Sequence, residues 1–133
     1  MSAKKTKNKM KHKLTIAMYV NGMEINPGVL ESKSLGGSET AGVYMAHELA
    51  ALGHNVILFG NITQPAEHKG VSYVNHENYL HFISHHAVDV NICQRMPQVF
   101  HYKNKAKINI LWAHDLMLKR ARANLGHGLW NID

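Results

Sequence analysis

The chain has 133 residues, a single cysteine, and 15 Lys plus Arg against 9 Asp plus Glu. That length fits one domain able to bury a core without a disulfide or metal staple, and lone Cys93 excludes an internal disulfide or a multi-thiolate zinc site. The net charge of +6 and pI near 9.5 would suggest nucleic acid or an anionic surface as partner.

The charge is local. Lys4, Lys5, Lys7, Lys9, Lys11 and Lys13 carry all of the excess, and the other 120 residues hold nine basic and nine acidic side chains. Residues 1–13 have too few apolar groups to offset their ordering entropy, so a disordered, solvated Lys-rich tail is expected. Weak anionic-membrane contact through residues 4–13 is the sharper alternative, at about 1 kcal/mol per Lys near the surface. Specific nucleic-acid binding lacks the aromatic interleaving it would need. Only seven mostly apolar residues, Leu14–Val20, follow the tail, too few for a membrane span and without a signal-cleavage site. The expectation is a soluble cytoplasmic protein, with peripheral membrane contact as the variant.

Leu14–Val20 reads as a buried strand, followed by a loop from Asn21 to Gly37. Ser38 is the expected N-cap of a helix, and Glu39 sits in its first turn, where the dipole favours an anion. Ala41, Tyr44, Met45, Leu49 and Leu52 predict its buried stripe, and Gly53 its end. Asn55–Phe59 is the next strand. A short strand over 71–74, a helix over 77–87, a strand over 89–93, a helix over 96–102 and a strand over 108–113 complete the order. This β-α-β rhythm predicts an α/β, Rossmann-like parallel sheet with helices on both faces, forming one domain over residues 14–133. Such sheets bind ligands at the carboxyl ends of their strands.

Three groups of residues stand where such a ligand would sit. Gly36-Gly37-Ser38-Glu39 opens the first helix; its free N–H groups suit a phosphate, while a flexible loop ending in an ordinary cap explains it equally. The glycines lie too far from the first strand for a dinucleotide fingerprint, and no G-K-[ST] exists for a Walker loop. His114-Asp115 ends the last strand, where His114 can donate a hydrogen bond or act as acid or base; a strand-capping His is the plain alternative. Arg95, after another strand, faces an anion or makes a surface ion pair. His76, His81, His85 and His86 miss H-E-x-x-H by one residue, so an exposed helix face is preferred to a metal site. Mid-strand Cys93 reads as a small buried hydrophobe.

Leu35-Gly-Gly-Ser-Glu-Thr40, the stretch AGVYMAHELAALGH at 41–54 and the strand NVILFG resemble the start of glycosyltransferase family 4. DVNICQRMP and INILWAHD are similar to that family's fourth and fifth strands, so the likeness runs from Leu14 to Asp115. The resemblance implies a GT-B fold of two Rossmann-like domains, with this chain as the N-terminal, acceptor-side one. It implies retaining transfer from a nucleotide-sugar co-substrate to a glycan, lipid or protein acceptor, with no cofactor and no metal. Gly36, Gly37 and Ser38 then map onto the donor-phosphate contact and His114 onto the catalytic contact to the transferred sugar. Glu39, Arg95 and Asp115 remain as further substrate contacts. The family's C-terminal domain, with its spaced Glu pair, has no counterpart here. The expectation is therefore a domain incomplete at its C-terminal end and inactive without that partner domain. Two competitors stay open: a non-catalytic binding module whose basic tail engages nucleic acid or anionic membrane, and a phosphosugar enzyme of another doubly wound family.

Overall fold

A computed structural model describes residues 12–32, 36–114 and 131–133. Strands are β1 (Thr15–Val20), β2 (Asn55–Gly60), β3 (Ala66–His68), β4 (Val71–Asn75), β5 (Val88–Gln94) and β6 (Ala106–Trp112); the α-helices are α1 (Val29–Ser32), α2 (Gly37–Ala51) and α3 (Tyr79–His85). The strands form one sheet in the order β3-β4-β2-β1-β5-β6, every neighbouring pair parallel except the β3–β4 hairpin. The chain is thus an α/β, Rossmann-like single domain.

Parallel strands bury both faces, which is why β1 and β2 read as near-continuous apolar runs. On one face α2 covers Ile16, Met18, Val20, Val56, Leu58 and Tyr73 with Val43 and Ala46. On the other, α3 and the short 3-10 turn Pro97–His101 bring Tyr79, Ile83 and Phe100 against Ala17, Tyr19, Phe59 and Cys93. Each fully buried aliphatic or Phe side chain contributes roughly 1.5–3 kcal/mol, so the two clusters hold a helical element on each side of β1.

The expected stripe of α2 is corrected. Gly42, Val43 and Ala46 are buried, whereas Tyr44, Met45 and Leu52 are exposed at 55%, 40% and 64%; Leu49 alone of the expected large residues packs against the core. Backbone proximity decides the rotation. A Cβ at Gly42 would lie 2.8 Å from Val20 Cγ2, so the helix turns its smallest residues to the sheet to approach closely. The expected Ser38 cap is also corrected. The helix begins at Gly37 with extended Gly36 as N-cap and no side-chain cap, and the Ser38 hydroxyl bonds the Glu39 carboxylate instead.

The middle of the chain differs in detail. The 77–87 helix divides into a 3-10 turn, His76–Asn78, capped by Asn75 Oδ1 accepting from Glu77 N–H at 2.9 Å, and α3 itself. The helix expected over 96–102 is a 3-10 turn beginning at Pro97. β3, to which the sequence assigned no element, is a three-residue edge strand joined to β4 through Lys69 and Gly70, both with positive φ (50° and 81°), the backbone a tight hairpin turn requires. Gly53, at φ 100°, supplies the left-handed residue after α2, as expected. His54 has a plain structural task, its Nδ1 accepting from Leu14 N–H at 3.1 Å. Among the described residues no helix is long and apolar enough to cross a membrane.

Candidate functional site

Strand order reverses at β1. The chain proceeds from β1 to β2 on one side, and β5 and β6 lie on the other. The crevice at the carboxyl ends of β1 and β5 is the place where doubly wound sheets take ligands. The first turn of α2 is seated there by β5. Gln94 is 3% exposed, and its Nε2 donates to Ser38 O at 3.0 Å. Arg95 Nη1 donates to Ser38 Oγ at 3.3 Å. Arg95 itself adopts φ 58°, a costly conformation for a side-chain-bearing residue, and its N–H donates to Trp112 O at 3.2 Å. That bond ties the end of β5 to the end of β6.

Glu39 is 7% exposed, and its carboxylate lies against two glycines. A Cβ would come within 2.5 Å of Glu39 Oε2 at Gly36 and 3.1 Å of Cδ at Gly22. Gly36 and Gly22 are therefore small because Glu39 occupies the space beside them. Gly37 is different. Among the described residues a Cβ there meets nothing within 4 Å, and its backbone is helical, so neither their packing nor its conformation demands glycine.

Ser38, Glu39 and Arg95 are thus brought together with Gly36 and Gly37. His114 stands on the same carboxyl edge, one strand further out. Its ring lies on Trp112, centroids 4.8 Å apart and tilted by 31°, in keeping with the shared face that strand alternation predicts. Among the described residues the buried His114 Nε2 has no hydrogen-bond partner, an arrangement that a native protein seldom leaves unsatisfied. Asp115, the remaining candidate, lies outside the described residues, as does the Lys-rich segment 1–11.

The bland candidates resolve simply. Burial pushes the Cys93 thiol up to about 12, its Sγ donating to Met96 O at 3.3 Å, so it is neither thiolate nor nucleophile at neutral pH. His81 and His85 stack, centroids 4.2 Å apart, and among the described residues no three His, Cys, Asp or Glu side chains converge to hold a metal.

Sequence reasoning missed Gln94. A polar residue closing the apolar run of β5 was the available signal, but only the sheet shows that it reaches α2. It also missed a buried polar chain between α3 and the last two strands. Tyr79 Oη donates to Asn91 Oδ1 at 2.8 Å, and Asn91 Nδ2 donates to Asn109 Oδ1 at 3.1 Å. Burial holds the Tyr79 phenol neutral far above its usual range. Asn91 and Asn109 are register partners on β5 and β6, so the chain pins these strands to each other and to α3.

No family model, curated protein or solved structure matches this chain.

Proposed function

We propose that this domain is the acceptor-side half of a retaining, nucleotide-sugar-dependent glycosyltransferase, with the donor diphosphate held at the start of α2. The reading rests on Gly37: a glycine that nothing among the described residues requires, at a helix N-terminus in the crevice where the strand order reverses. Its N–H and those beside it would donate to phosphate oxygens, with the helix dipole favouring the charge. Arg95, already bonded to Ser38, adds a guanidinium suited to phosphate. His114, through the buried Nε2 with a bond to gain, would hydrogen-bond the transferred sugar.

The resemblance supplies the rest of the chemistry. The anomeric carbon–phosphate oxygen bond breaks as the acceptor oxygen attacks from the same face, and the acceptor proton passes to the departing diphosphate. Neither a side-chain nucleophile nor a metal takes part, and a second domain completes the donor contacts. The enzyme would work in the cytoplasm, its Lys-rich segment touching anionic membrane.

Titrating UDP, GDP and their sugars into the chain while recording amide resonances tests this. Shifts should appear at Gly36–Glu39, Arg95 and His114, weakly, and should persist when residues 1–13 are deleted. Absence of shifts at α2 with every nucleoside diphosphate would refute it. RNA or anionic-vesicle binding that is lost with the tail and falls steeply with salt would instead favour a binding module.

A further inference from the structure

The histidines at 76, 81, 85 and 86 lie on the sheet face opposite α2, outside the crevice. They miss the H-E-x-x-H pattern, yet they contain a different pair. His81 and His85 stand four residues apart on α3, one helical turn, where side chains meet on a common face. Tyr79 and Ile83 seat α3 on the sheet, which turns the His81 and His85 rings to solvent.

The pair is organised. The two rings stack with centroids 4.2 Å apart and 24° between their planes. His85 Nδ1 lies 2.8 Å from the His81 carbonyl oxygen. A carbonyl can only accept, so Nδ1 carries the proton and donates, and the lone pair of the neutral ring sits on Nε2. The Ser84 hydroxyl fits that assignment. Its one proton goes to the carbonyls of Leu80 or His81, at 2.8 and 3.0 Å, which makes its oxygen a second acceptor for His85 Nδ1 at 3.0 Å. One ring nitrogen donating to a backbone carbonyl, with the other left to bind, is how metal-ligating histidines are held.

The geometry points to a two-imidazole chelate at His81 and His85 for a late first-row divalent cation, Cu²⁺, Ni²⁺ or Zn²⁺, with water completing the coordination. Imidazole nitrogen suits these ions, whereas Mg²⁺ and Ca²⁺ seek oxygen. A metal–nitrogen bond of about 2.0–2.1 Å places two adjacent ligand atoms about 3 Å apart. Exposed rings already stacked at 4.2 Å reach that separation by side-chain rotation, with no change in the backbone. The chelate lies across the sheet from the start of α2 and stands whether or not the glycosyltransferase reading does.

The test is a titration of the whole chain with Cu²⁺ and, separately, Zn²⁺ while recording amide and imidazole resonances. Substoichiometric Cu²⁺ should broaden the amides of residues 80–86 first, and Zn²⁺ should shift the His81 and His85 rings in a saturable way. Before metal is added, the neutral His85 ring should carry its proton on Nδ1. Because the chain has 11 histidines, three variants assign the site. His81→Gln and His85→Gln change exposed positions and should keep the fold. Each should weaken Zn²⁺ binding about tenfold or more, since a chelate becomes a single ligand. His86, whose ring stacks on Phe82 at 4.5 Å instead, provides the control, and His86→Gln should bind as the parent does. The site is disproved if neither ion acts first on 80–86, or if the His85 proton sits on Nε2. It is equally disproved if His81→Gln and His85→Gln fold and bind as the parent does, or if His86→Gln loses as much as they do.

Discussion

Gly37→Ala separates a glycine kept for a ligand from one kept for the fold. The added methyl meets no described atom within 4 Å, and the backbone at this position is helical. Replacing Gly by Ala in a helix stabilises by up to about 1 kcal/mol, and less at the first position, so about 0.5–1 kcal/mol is expected. For a domain of this size that raises the melting temperature by about 2–5 °C. Gly36→Ala provides the contrast. Its methyl would come within 2.5 Å of Glu39 Oε2, so the buried carboxylate must shift about its flexible stem. Gly36→Ala should therefore gain nothing and lower the melting temperature by up to a few degrees, at a cost of about 1 kcal/mol. For UDP or GDP, the Gly37→Ala methyl stands where phosphate must approach. Losing one charge-assisted hydrogen bond should weaken binding about tenfold or more. Scanning calorimetry and the resonance titration on both variants measure the two effects. A melting temperature several degrees lower in Gly37→Ala would show that packing requires the glycine. Unchanged nucleotide affinity in a stable Gly37→Ala would show that the start of α2 is not where the phosphates lie.

Three further outcomes follow from the packing. A Cβ on Gly60 would come within 2.6 Å of the Val20 carbonyl oxygen, in a neighbouring strand that cannot yield. Gly60→Ala should therefore lose about 2–3 kcal/mol by urea denaturation, and a loss under about 1 kcal/mol would contradict the tight β1–β2 approach. Tyr79→Phe strands the Asn91 amide in the buried polar chain and should cost about 1–3 kcal/mol; a neutral result would mean that the chain contributes nothing. Asp89 accepts from Thr15 N–H at 2.8 Å and pairs with Lys107 at 3.3 Å, the first of these contacts doing most to hold its carboxyl below the usual range. Its ionised form is favoured in the fold, so its contribution is complete above about pH 4 and is lost as the pH falls through the lower folded value. Asp89→Asn should thus be less stable than the parent at neutral pH, and the gap should close in acid. A gap that does not narrow as the pH falls below 4 would refute the linkage.

The class of fold was legible in the sequence because its signals are local. Apolar runs at 14–20, 55–59 and 89–93, separated by a helical stretch stopped at Gly53 and a second, shorter one, leave few alternatives to a parallel α/β sheet. The seating of the crevice was partly legible: Gly36-Gly37-Ser38-Glu39, Arg95 and His114 all reach the carboxyl edge, since strand ends and helix starts alternate along the chain. The helix face was not. In α2 apolar residues occur on several sides, and the choice of Gly42, Val43 and Ala46 follows from how closely Val20 lets the backbone approach. Nor did the sequence distinguish Gly37 from Gly36, because a carboxylate lies folded back against Gly36 and nothing among the described residues lies against Gly37.

The distribution of charge is fixed by the sequence alone: six lysines before residue 14 carry the whole excess, and the rest of the chain is neutral. What no local pattern contains is the company each group keeps across strands. Gln94 against Ser38, Arg95 against Trp112, and His47 against Tyr73 are 56, 17 and 26 residues apart. Tertiary structure alone decided those pairings, because a sheet in the order β3-β4-β2-β1-β5-β6 makes neighbours of segments that sequence spacing keeps apart.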